Sequence, residues 1–258
     1  MVARREVVLG GLLLLGWEIS SIPAYARTSL GAHIHGPGCM LTPEQAASFF
    51  DDAPDTRMYI TGSEPMIPKS GNEKLDFALA QTLAKISDVF DVLPGFAYYD
   101  DSDGLNAYAT PAVRLNRSDG TVLFGQRLLN RLMSGPENPD ASVAAVCAHE
   151  FGHIVQHRKG LTQNLLAGQP TVKRAELQAD FFAGYFAGVR KLQRANFPAA
   201  VFAMTQYNFG DNMINNPSHH GTPPERSDAI TAGFKTAFTE KKSFAEALVS
   251  ATNYVMQL

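Results

Sequence analysis

The stretch from Ala141 to His157 constrains this chain more than any other. Its apolar residues recur at helical spacing, yet the helix they define carries His149, Glu150 and His153. Residues four apart stand one above the other on a helix face, so His149 and His153 can offer imidazole nitrogens to one divalent cation, zinc being the usual ion at such a pair. Glu150 projects beside them, where its carboxylate can take a proton from a water held by that ion.

A tetrahedral catalytic site needs a third protein ligand and an open fourth position. His157 continues the same face but lies about 12 Å along the helix axis from His149, too far for metal bonds of about 2 Å to span. Glu176 is the better candidate. Gly160, Gly168 and Pro170 can turn the chain back, so that the following helix packs against the first and presents it. Asp180 sits four residues later on the same face, placed to accept a hydrogen bond from a ligating imidazole. The alternative, a solvated acidic face, fits poorly with the flanking Leu177, Ala179, Phe181 and Phe182.

A further cluster is His219-His220-Gly221-Thr222-Pro223-Pro224-Glu225-Arg226. Thr222 can cap a helix opened by Pro223 or Pro224, with His220 at its mouth and Arg226 on its first turns. Two readings stay open: either or both could steady the oxyanion of a tetrahedral intermediate, or the segment is a capped helix with surface histidines.

Around this core the pattern predicts an α+β domain. A helix over 72–92 precedes short β-type runs at 96–99, 106–110, 113–115 and 121–124, a small antiparallel or mixed sheet. Helices follow at 126–133, 141–157, 171–195, 199–208, 224–237 and 243–256. With 258 residues, a net charge of −3 and 45% hydrophobic content, the chain is neither disordered nor a phosphate-gripping nucleic-acid binder. No apolar run after residue 26 is long enough to cross a bilayer.

The N-terminus reads as an address. Arg4 and Arg5 precede an apolar run from Val7 to Trp17, and Ala24-Tyr25-Ala26 supplies small residues for a signal peptidase. The expected organisation is a cleavable signal at 1–26, an N-terminal arm at 27–71 with a helix near Pro43–Phe50, and the main domain at 72–258. Export would make the protein secreted or periplasmic. There Cys39 and Cys147 could form a disulfide or remain two buried thiols. His33, His35 and Cys39 in the arm raise the further idea of Cys39 filling the open metal position. Asp100, Asp101 and Asp103 before Gly104 read as a turn, because the Glu that would close a calcium loop is missing.

Three segments, His149-Glu150-x-x-His153, Glu176-Leu-Gln-Ala-Asp180 and His220-Gly-Thr-Pro…Arg226, follow the order seen in gluzincin metallopeptidases. The chain resembles the M48-type peptidases and related neutral zinc metallopeptidases of bacteria. Leu105-Asn106-Ala107-Tyr108-Ala109-Thr110-Pro111 is similar to the strand motif before their zinc helix. The resemblance implies a zincin-like fold and an endopeptidase holding one zinc ion on His149, His153 and Glu176, with Glu150 as general base. It also implies that Asn106 and Ala107 lie on an edge strand that pairs with an extended protein or peptide substrate. Unlike membrane-embedded M48 members, this chain has no transmembrane segments after the signal. The rival expectation is a zinc-stabilised envelope binding or assembly factor without turnover, which would have no use for Glu150.

Overall fold

Asn72 opens the first helix by accepting the Leu75 amide on its side chain at 3.2 Å. The structure, a computed structural model, describes residues 64–102 and 104–258. The expected signal, the 43–50 helix, His33, His35, Cys39 and Asp103 lie outside the described residues, as does the arm up to residue 63. Helix α1 (Glu73–Phe90) leads into strand β1 (Gly95–Tyr99), β2 (Ala107–Thr110) and β3 (Thr121–Gly125). The strands lie in the order β1-β3-β2, with β1 parallel to β3 and β2 antiparallel to it, so the sheet is mixed and β2 forms one edge.

The run 113–115, read as a strand, is irregular. Its neighbourhood bonds to a side chain rather than to a strand: Thr121 Oγ1 accepts the Arg114 amide and donates to the Ala112 carbonyl. Asp101 is more than a turn residue. Its buried carboxylate accepts the amides of Arg127 and Leu128 at 2.7 and 2.9 Å and of Asn106 at 3.3 Å. It thereby caps helix α2 (Gln126–Met133), whose own N-cap, Gly125, offers no side chain, and ties that helix to the start of β2.

Helix α3 (Pro139–Arg158) bears the histidines. The sequence suggests an amphipathic helix, but α3 is buried on all sides from Val143 to Gln156, as a helix at the centre of a domain must be. It packs against α1, α2, β2 and helix α5 (Lys173–Gln193). Gly152 permits that last approach, because a Cβ there would stand 3.0 Å from the Ala179 Cα.

A short helix α4 (Thr162–Leu166), unmarked in the sequence pattern, fills the turn between α3 and α5. Helices α6 (Ala200–Phe209), α7 (Pro223–Phe238) and α8 (Phe244–Met256) complete the layer. Thr222 with Glu225 and Ser243 with Glu246 form capping boxes at α7 and α8. Phe90 stacks on Phe244 at 5.0 Å and meets Phe182 and Phe186 edge-on or tilted, fastening α1, α5 and α8 together. Among the described residues, no helix is long and apolar enough to cross a membrane.

Candidate metal centre

Helix α3 carries His149 and His153 one turn apart, and α5, antiparallel in the chain's return, brings Glu176 to them. Each offers a ligand atom, and these atoms lie within 4.8 Å of one another. The two Nε2 atoms are 3.1 Å apart, and Glu176 oxygens lie 3.3 Å from Nε2 of His149 and 3.5 Å from that of His153. Bonds of about 2.0–2.1 Å to a tetrahedral zinc would set ligand atoms roughly 3.3–3.4 Å apart, so the spacing suits such an ion. His157 is not in the group; burial, with His153 nearby, pushes its pKa down to about 4.

The chemistry of Glu176 makes the same point. Its side chain is fully buried and neither oxygen accepts a conventional hydrogen bond. Burial pushes its carboxyl up, but the charges of His220 and His153 outweigh that and hold it well below the usual carboxylate range. A buried, ionised carboxylate needs positive charge beside it, and this one faces the same two imidazole nitrogens that would share a cation with it. The donor set therefore fits a metal.

Both imidazoles are oriented from behind. Nδ1 of His149 donates to Asp180 at 2.8 Å, the contact expected from the sequence. Nδ1 of His153 faces Gln156 Oε1 at 2.8 Å, and the Gln156 amide nitrogen donates to the Ala175 carbonyl and to Gln178 Oε1. The amide is thus fixed with its oxygen toward His153, so Nδ1 donates and Nε2 keeps its lone pair for the shared point. Gln156 escaped the sequence reading, although its position three residues after His153 on one helix was a usable signal.

Arg226 lies on the first turns of α7, buried, with Nε and Nη2 at 2.7 and 2.9 Å from the Asp180 oxygens. Burial raises the Asp180 carboxyl, and the guanidinium with His149 brings it below its ordinary value. The arginine thus holds Asp180 and also lines the cleft beside the centre. His220 is a quarter exposed at the helix mouth, as its spacing suggested. Asp211, unremarked in the sequence, accepts the His220 amide at 3.1 Å and His219 Nδ1 at 2.6 Å, with His220 Nδ1 3.6 Å away.

A cavity of about 180 Å³ opens beside the centre, and His149, Glu150, His220, Asn106 and Ala107 all line it. Asn106 precedes β2 and Ala107 begins it, on the outer strand. Cys147, two residues before His149, is a fully buried free thiol, pushed up by burial and by Glu150.

No curated protein and no solved structure matches the chain. Residues 112–187, under a third of the chain, match the family model Peptidase_M78, described as the IrrE N-terminal-like domain. The match spans the two histidines, Glu150, Glu176 and Asp180 but stops short of His220 and Arg226, and it identifies this segment as similar to a zinc metallopeptidase-like domain.

Proposed function

We propose that this protein is an exported zinc-dependent endopeptidase. The observation that carries the reading is the convergence of His149, His153 and Glu176 on one buried point, with Glu150 on the next helical position and an open cleft in front. The motif order resembles M48-type peptidases and the matched model is that of M78; both point to the same class of chemistry. Export rests on the residues up to Ala26 alone.

A zinc ion held by His149, His153 and Glu176 would supply a Lewis acid able to lower the pKa of water and polarise a carbonyl. Glu150 takes the attacking water's proton and hands it to the leaving amine. His220 faces the cleft and can donate a hydrogen bond to the developing oxyanion. Arg226 is a positioning residue, holding Asp180 so that Asp180 holds His149. Asn106 and Ala107 on the outer strand can pair with the backbone of an extended substrate.

The test is metal analysis of the purified chain followed by a peptide-library digest with and without chelator. Bound zinc and chelator-sensitive hydrolysis, lost in Glu150→Gln with zinc retained, are expected. Zinc without any turnover would favour the non-catalytic assembly factor, and hydrolysis indifferent to chelator would overturn the reading. Product sequencing from the mature N-terminus tests cleavage near Ala26.

A further inference from the structure

The cleft beside the metal centre has two kinds of wall. His149, Glu150, His220 and Arg226 belong to the chemistry already described; the rest of the lining is uncharged, chiefly Leu105, Leu128, Val146 and Phe209. At the mouth, Leu105 and Phe209 are 42% and 38% exposed and so present apolar surface to whatever enters. The flank beyond Phe209 continues the theme. From Ala195 to Ser218 the only Asp, Glu, Lys or Arg is Asp211, although 18% of the whole chain is charged. Met204, Tyr207, Met213 and Ile214 on this flank are all exposed.

Phe209 is not loosely placed. Its carbonyl accepts from Arg226 Nη1 at 3.4 Å, and the next residue, Gly210, lets the chain press on the start of α7, where a Cβ would stand 2.4 Å from the Pro223 nitrogen. The Asp211 amide donates to the Gly221 carbonyl at 3.0 Å. The backbone of Phe209 is thus held by the same arginine that orients the metal site. On the opposite side, Leu105 stands next to Asn106, whose amide Asp101 fixes.

We propose that the cleft takes an extended, uncharged polypeptide segment with a bulky apolar side chain beside the scissile bond, selected by Phe209 and Leu105. This rests on the endopeptidase reading and names its substrate class. A charged side chain seated against Leu105, Leu128, Val146 and Phe209 would have to shed its hydration on apolar surface. The cavity of about 180 Å³ is smaller than the roughly 300–1,000 Å³ of sites for whole small-molecule ligands, and suits a side chain of a longer partner.

The test uses the full zinc-loaded chain and matched internally quenched peptides that differ only in one residue flanking the cleaved bond: Leu, Phe, Ser, Asp or Lys. Leu and Phe should exceed Asp and Lys by at least about tenfold in kcat/KM. Phe209→Ser and Leu105→Ser should each erase much of that preference through KM, with zinc content unchanged. Equal cleavage of charged and apolar peptides, or a preference untouched in both variants, overturns the proposal. If no peptide is cleaved, the endopeptidase reading fails, and fluorescence polarisation with the same peptides decides: about tenfold tighter binding of the apolar set sustains the substrate class, equal binding overturns it. Phe209-dependent binding to phosphatidylglycerol vesicles without any peptide preference would also overturn it, making the flank a membrane contact.

Discussion

Arg226 grips Asp180 by two nitrogens at once, Nε at 2.7 Å from one carboxylate oxygen and Nη2 at 2.9 Å from the other, with both residues buried. The pair joins α7 to α5 and ends on His149, which donates to the same carboxylate. Arg226→Met leaves that carboxylate without its guanidinium, and denaturant unfolding should show a loss of about 3–5 kcal/mol. Zinc competition should show an affinity about 10–100-fold weaker. Lys at this position should not restore either, since an ammonium lacks the parallel donors. Unchanged values in Arg226→Met would show that α7 takes no part in building the site.

Gln156 does for His153 what Asp180 does for His149, but with a neutral amide. Gln156→Leu removes the acceptor that selects the Nδ1–H tautomer and leaves the Ala175 carbonyl unbonded by this donor. Zinc affinity should fall by about tenfold or more while helix content stays constant. An affinity equal to wild type would mean that packing alone orients the ring.

Glu176 makes the metal-free protein carry a buried charge that accepts no conventional hydrogen bond. Glu176→Gln removes the carboxylate that faces both imidazoles at 3.3 and 3.5 Å and should sharply weaken zinc binding. The wild-type chain should gain about 2.7 kcal/mol when zinc is present at a hundredfold excess over its Kd. A Gln variant that binds zinc as tightly as wild type would contradict this account of the site.

His157 gives a pH dependence of defined sign. Its pKa is about 4 in the fold against 6.5 for the free side chain, so between those values the unfolded chain binds more protons. Its contribution is present above pH 6.5 and is lost as pH falls toward 4. In chelator, which removes metal release as a variable, His157→Gln should lose less stability over that window than wild type, by about 3 kcal/mol at most. Parallel curves for the two proteins would place the acid sensitivity elsewhere.

The helices were legible because their apolar period, capping residues and breakers act over a few neighbouring positions. Thr222 caps as its spacing suggests, and α3 and α5 fall within a few residues of their expected bounds. The His149, Glu150, His153 trio is a local property of one helix face, and Glu176 with Asp180 is another on the next helix. What the chain could not announce is how those faces meet. That depended on Gly152 letting α3 close on α5, on Arg226 arriving from α7 to hold Asp180, and on Gln156 turning its amide toward His153 once Ala175 and Gln178 had taken its other end. Asp101, Asp211 and the irregular link at 113–115 were obscure for the same reason: each bonds to groups brought near by folding, and spacing along a chain carries no record of partners across it.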